Sequence, residues 1–164
     1  MFDTGSNVGE VMVRYVIGAC VASIALGAAT APLFAAPQDS ARARIAAYKQ
    51  LGENFKAVND MLRSGDVQPP LIRRFAGQIR NAAHNQYRLF PANSVPQPGV
   101  KTAALKEIWT RPSDFRTAQD KFARQAEIFQ RVAMVGDPAA IRTEARKLGG
   151  ACKQCHDNFR AESE

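Results

Sequence analysis

From residue 40 onward, apolar side chains recur at helical intervals and almost never alternate strictly with polar ones, which predicts helices and no sheet. The first stretch, Ser40 to Leu62, places Ile45, Tyr48, Leu51, Phe55, Val58 and Met61 or Leu62 on one face, and Ser64-Gly65-Asp66 then supplies stop and turn residues. The second opens at Pro69-Pro70, where proline suits a first turn, and carries Leu71, Phe75, Ile79, Ala82, Gln86 and Leu89. Phe90 to Gly99 is too rich in proline and glycine for regular structure and predicts a long loop running to a short turn around Ala104 to Trp109. The third helix begins after Pro112, with Ser113 as N-cap. It sets Phe115, Phe122 and Phe129 seven residues apart, with Ala118, Ala126 and Val132 between them, and stops at Gly136. Asp137-Pro138 starts the fourth, which carries Ile141, Ala145, Leu148, Cys152, Cys155 and Phe159. Four helices joined by short links and one long loop predict an all-α, antiparallel four-helix bundle.

The N-terminus changes the domain count. Tyr15 to Ala36 carries no charge, follows Arg14 and ends in small residues, the layout of a secretory signal peptide. Residues 1–36 are therefore expected to be a cleaved leader, with cleavage after Ala35, and residues 37–164 the bundle domain. The rival is an uncleaved anchor facing the periplasm, since the uncharged run is long enough to span a bilayer, although Pro32 and the many Ala and Gly residues soften it. Cys20 lies inside the apolar run and reads as a small filler of the leader. Loss of the leader removes one basic and two acidic residues, making the remainder one unit more basic than the +7 of the whole chain. These charges are spread over several helices, with no basic arm for nucleic acid. They fit a docking face for acidic redox partners or a solvated exterior.

The chemistry concentrates at Cys152-Lys153-Gln154-Cys155-His156, a Cys-x-x-Cys-His pentad that reads as a c-type haem attachment site. Thiols three residues apart on a helical turn can each add across one haem vinyl group, and the adjoining imidazole can reach the iron. A thioredoxin-like site would be expected beside a βαβ pattern, and none accompanies it. A zinc site would need two further ligands, and the remaining candidates are Cys20 in the leader and His84 about seventy residues away. One covalent haem c is the expected cofactor, lying between helices. His84 falls between the apolar positions of its helix and is expected to face solvent. Trp109 is expected to anchor the end of the loop.

With the pentad at the C-terminal end of four helices, residues 38–162 resemble class II c-type cytochromes, the cytochrome c′ family. The resemblance rests on Leu148 to Arg160 around the pentad, on Glu107-Ile108-Trp109 followed by Phe115, on Thr102, and on Arg44, Tyr48, Gly52 and Phe55 at the family's spacing in the first helix. It implies that Cys152 and Cys155 hold the haem, that His156 ligates iron, and that Arg160 lies near that histidine. It also implies that Arg44 pairs with a propionate and that Thr102 lies near the haem edge. Low-spin members carry Met at the position of Tyr48, so the resemblance implies five-coordinate, high-spin iron with Tyr48 hindering the distal pocket. Two departures are Ile45, where Gln is common, and Lys106, where Pro is usual.

The expected function is that of a non-enzymatic periplasmic cytochrome that binds NO or CO, transfers electrons to a periplasmic redox partner, or both. The alternative is a six-coordinate, low-spin electron carrier, for which Met61 and His84 are the ligands to test. Turnover of peroxide has little support, because no distal histidine is apparent. The resemblance leaves open whether the chain dimerises through its first two helices.

Overall fold

A computed structural model describes residues 37–162. The expected leader and its cleavage site lie outside the described residues. Five helices follow in order: α1 Pro37–Ser64, α2 Pro69–Asn85, a short α3 Glu107–Thr110, α4 Pro112–Val135 and α5 Pro138–Phe159. The four long ones form the predicted all-α bundle, and the fifth is the turn expected near Trp109. Among the described residues, no helix is long and apolar enough to cross a membrane.

Local chemistry sets the ends. Gly65 and Gly136 adopt left-handed backbone at φ 81° and 91°, a conformation open to glycine at small cost. Their amides close α1 and α4 on Met61 and Val132 carbonyls at 3.2 and 3.1 Å. The Asp137 carboxylate accepts from the Ala139 and Ala140 amides at 3.1 and 3.2 Å, capping α5 as expected. Ser113 does not cap α4. The helix already begins at Pro112, after Arg111, because proline has no N–H for a cap to satisfy and its fixed φ suits the first position. The second helix also ends earlier than its apolar pattern suggests. After Asn85 it tightens into a 3₁₀ turn, Gln86–Leu89, and a second such turn, Ala92–Ser94, lies within the long loop.

α4 packs against α5 and α2, and α1 packs against α2, while α1 and α5 meet along a thin seam. The main core gathers Val58, Ile72, Ile79, Phe122, Phe129, Ile141 and Leu148. A second cluster of Ile108, Phe115 and Phe159, flanked by Phe90 and Trp109, fills the end of the bundle near the loop. The phenylalanine ladder of α4 thus serves both: Phe122 and Phe129 the first, Phe115 the second. At the seam, a Cβ on Gly149 would come within 3.4 Å of the Phe55 ring, so α1 reaches α5 by laying a ring on bare backbone one turn before Cys152.

Two faces differ from the sequence reading. Ile45 is 49% exposed, while Arg44 beside it is 4% exposed. On α2 the buried row is Ile72, Ala76, Ile79 and Ala83, with Leu71, Phe75 and Ala82 half-buried on its flank.

Candidate functional site

The seam between α1 and α5 ends where the two hydrophobic clusters meet, and the cysteines stand at that junction. Cys152 packs against the main core, and Cys155, one turn further along α5, packs against the aromatic cluster. Both are half-buried free thiols. Burial pushes each thiol up to about 11, with the neighbouring Cys155 adding to the rise at Cys152. Among the described residues, no cluster of His, Cys, Asp or Glu could hold a bare metal ion.

His156 follows on the exposed side of α5. Partial burial and the nearby Arg160 guanidinium lower its pKa, against an opposing pull from Asp157. The imidazole is therefore held in its neutral, ligating form. Immediately beyond, the chain pairs with the loop before α3. Leu105 N–H donates to the Phe159 carbonyl at 3.1 Å and Ala161 N–H to the Ala103 carbonyl at 2.8 Å, with Ala104 and Arg160 bridged antiparallel. Thr102 sits at the start of this bridge, where its hydroxyl accepts from the Ala104 amide at 3.1 Å. Thr102 and Arg160 thus share one end of the bundle with the pentad.

Across the seam, α1 presents Arg44 and, one turn later, Tyr48. Burial raises the Tyr48 phenol, and Cys155 and Cys152 raise it further, against Arg44; the tyrosine therefore lies within electrostatic reach of both thiols. Its hydroxyl donates to Gln86 Oε1 at 3.2 Å. Its ring stands 6.1 Å from that of Phe90, which meets Phe115 edge-on at 4.7 Å.

Arg44 is the most demanding residue of the site. Its guanidinium lies 5.2 Å from the Phe90 centroid and 5.4 Å from that of Trp109. It donates to the Leu89 carbonyl at 3.2 Å and the Ser94 hydroxyl at 3.0 Å. Burial lowers its pKa. Nε has no hydrogen-bond partner, and no carboxylate among the described residues pairs with it. A buried cation without a counter-charge is costly. An acidic group entering beside Arg44, such as a haem propionate, would satisfy both the charge and the spare donor, so the residues present fit that cofactor.

The residues held in reserve lie elsewhere. His84 Nε2 is 3.0 Å from Glu127 Oε1 on α4, and its side chain is 43% exposed. Met61 packs against the main core and Met134 is 60% exposed near the end of α4. Trp109 is half-buried and donates through Nε1 to the Pro91 carbonyl at 3.1 Å, anchoring the loop as expected. The sequence reading missed Gln86 and Ser94 as site residues. Gln86 falls among the apolar positions of the second helix, and its polarity there is the available signal.

Comparison with known proteins converges on one family. A family model described as cytochrome C′ matches residues 39–160. A cytochrome c′ of Rhodopseudomonas palustris is 32% identical over 119 residues, which is 72% of this chain and 79% of that protein. The solved cytochrome c prime of Shewanella frigidimarina superposes with a TM-score of 0.72 at 25% identity, over 79% of this chain and 99% of that one. A nitric oxide complex of a cytochrome c prime mutant from Alcaligenes xylosoxidans superposes with a TM-score of 0.71 at 21% identity, over 79% and 99% of the two chains; at that identity the likeness concerns the fold.

Proposed function

The chain belongs to the cytochrome c′ family and is a c-type cytochrome with covalently bound haem c, and from that premise we propose that it is a periplasmic, non-enzymatic haem protein with five-coordinate, high-spin iron that binds NO or CO. Cys152 and Cys155 would hold the haem through two thioethers, and His156 would be the iron ligand supplied by the protein. Arg44 receives a propionate. Thr102 and Arg160 line the haem edge and the proximal side. Residues 1–36 act as the export signal and are removed.

Bound haem supplies an iron redox couple and a sixth coordination position; the rest falls to the protein. α5 orients the thiols and the imidazole. Phe90, Phe115 and Trp109 of the aromatic cluster, and Leu51 and Phe55 against the main core, offer apolar walls that would keep water from the haem. Tyr48 stands over the distal side and limits what can approach.

The observation that carries this reading is the identity and setting of Tyr48. It lies on α1 one turn after Arg44, within electrostatic reach of both thiols, at the position where the resemblance gives low-spin members a methionine, and its hydroxyl is engaged with Gln86. Met61 packs against the main core, Met134 is 60% exposed near the end of α4, and His84 pairs with Glu127. The nitric oxide complex of the Alcaligenes protein gives a precedent within the fold for a diatomic ligand. The haem edge, near Thr102 and Arg160, also suits one-electron exchange with a periplasmic partner.

Optical and EPR spectra of the purified ferric and ferrous forms test the reading. High-spin spectra are expected, with CO and NO adducts on addition of the gases. Low-spin spectra would overturn it in favour of a six-coordinate electron carrier. A homodimer through α1 and α2 belongs to the same reading, supported by the exposed Ile45 on α1. Sedimentation equilibrium with Ile45→Lys tests it: weaker association is expected, and a monomeric parent protein would remove it.

A further inference from the structure

We propose that Gln86 is a positioning residue that latches Tyr48 over the distal side and so sets the rate at which a diatomic ligand gains access. The proposal rests on the five-coordinate reading above and adds to it the residue that holds the guard.

The hydrogen-bond chemistry leaves Gln86 one orientation. Its side chain lies between the Tyr48 hydroxyl at 3.2 Å and the main-chain carbonyl of Gln119 at 3.2 Å. A carbonyl can only accept, so the amide nitrogen must face Gln119. The amide oxygen is thereby left for Tyr48, and the phenol must donate to it. In this arrangement the Tyr48 proton is committed away from the distal side. Gln86 is 3% exposed, so in this arrangement its amide oxygen relies on the phenol. Displacing Tyr48 breaks that bond, which opposes the movement.

The latch stands on a fixed post. Gln86 opens the 3₁₀ turn Gln86–Leu89. Next to it, the Tyr87 hydroxyl donates to Asp120 at 2.7 Å, and the Arg116 guanidinium lies 4.0 Å from the Tyr87 ring centroid. At the far end of the turn, the Leu89 carbonyl accepts from Arg44. The turn is thus tied to α4 and α1, while the tyrosine has somewhere to go. A crevice of about 80 Å³ between α1 and α2, lined by Ala47, Tyr48, Leu51, Ala82 and Gln86 among others, gives the ring room to shift.

A double-mutant cycle on the haem-loaded protein tests the latch, using Tyr48→Phe and Gln86→Leu. Tyr48→Phe removes the hydroxyl and keeps the ring; Gln86→Leu removes the acceptor. Each single variant should bind CO roughly fivefold faster, the kinetic equivalent of one hydrogen bond. The double variant should be no faster than either single one, because both break the same contact. Urea unfolding of the same four proteins should show matching non-additivity, a readout independent of the ligand. Additive CO rates with five-coordinate spectra would overturn the latch and leave the guarded site standing. Unchanged rates in both single variants would do the same. Six-coordinate spectra in the parent protein would overturn the five-coordinate reading and the gating role with it.

Discussion

The Arg44 guanidinium donates to the Ser94 hydroxyl at 3.0 Å, and Ser94 in turn donates to the Pro91 carbonyl at 2.8 Å. A cation on the first turns of α1 is thereby joined to the loop that closes the aromatic end of the bundle. Two neutral acceptors and two aromatic faces hold the group in place without neutralising it. The site is therefore built around an unbalanced positive charge.

That imbalance predicts an electrochemical effect. With Arg44 beside a haem propionate as proposed, its charge disfavours the ferric state, so Arg44→Leu should lower the midpoint potential, whereas Arg44→Lys, which keeps the charge, should lower it less. Loss of the guanidinium bonds should also cost about 1–3 kcal/mol of stability in the haem-loaded protein. Redox titration and urea unfolding measure the two. Equal potentials for Leu and Lys would exclude the charge as the operative property.

The two hydrophobic clusters should respond differently to the same deletion. Phe129 is fully buried in the main core and Phe115 is 6% exposed in the cluster that holds Cys155. Phe129→Ala and Phe115→Ala should each destabilise by about 3–5 kcal/mol. Only Phe115→Ala should also shift the Soret band, since its cluster includes Cys155, the thiol proposed to carry the haem. A shift of equal size in Phe129→Ala would place the haem elsewhere.

Asp120 links the outer surface to acid stability. The Tyr87 hydroxyl bond, with help from Arg116 and Arg124 and against some desolvation, holds its carboxyl below the usual carboxylate range. A carboxylate depressed on folding contributes stability above its unfolded value of about 3.9, and the contribution is lost as pH falls through the lower folded value. Asp120→Asn should therefore leave a flatter acid limb below about pH 4. Helical circular dichroism followed through acid titration reads this directly, and an unchanged limb would discount the Tyr87 bond.

Helix number, the loop and the pentad were legible because each rests on local chemistry: spacing, proline and glycine placement, or a motif. The buried face of α1 was not. Hydrophobicity favours Ile45 over Arg44, yet Arg44 lies inside because its guanidinium lies against the Phe90 and Trp109 rings and donates to Leu89 and Ser94, residues far from it in sequence. The same limit hid Gln86. Its place among apolar positions was visible, but its partners on α1 and α4 exist only after the helices pack. Tyr48 stood out through the resemblance, while the hydrogen bond that restrains it came only with the fold.

Tyr48 itself carries the last expectation. In the proposed reading its ring limits approach to the distal side by occupying space, and its hydroxyl adds the bond to Gln86. Tyr48→Ala removes both, and should speed CO association by at least roughly tenfold, since losing the bond and the ring's packing lowers the barrier by more than about 1.4 kcal/mol. Tyr48→Phe should fall between the alanine variant and the parent. Lys56→Gln, exposed on α1 and paired with Asp60 away from Tyr48 and Gln86, serves as the surface control and should change the rate far less. Flash photolysis of the CO adducts gives all four rates on one scale. If Tyr48→Ala binds CO no faster than the parent, the tyrosine is a packing residue, and access to the iron is set by some other part of the seam between α1 and α5.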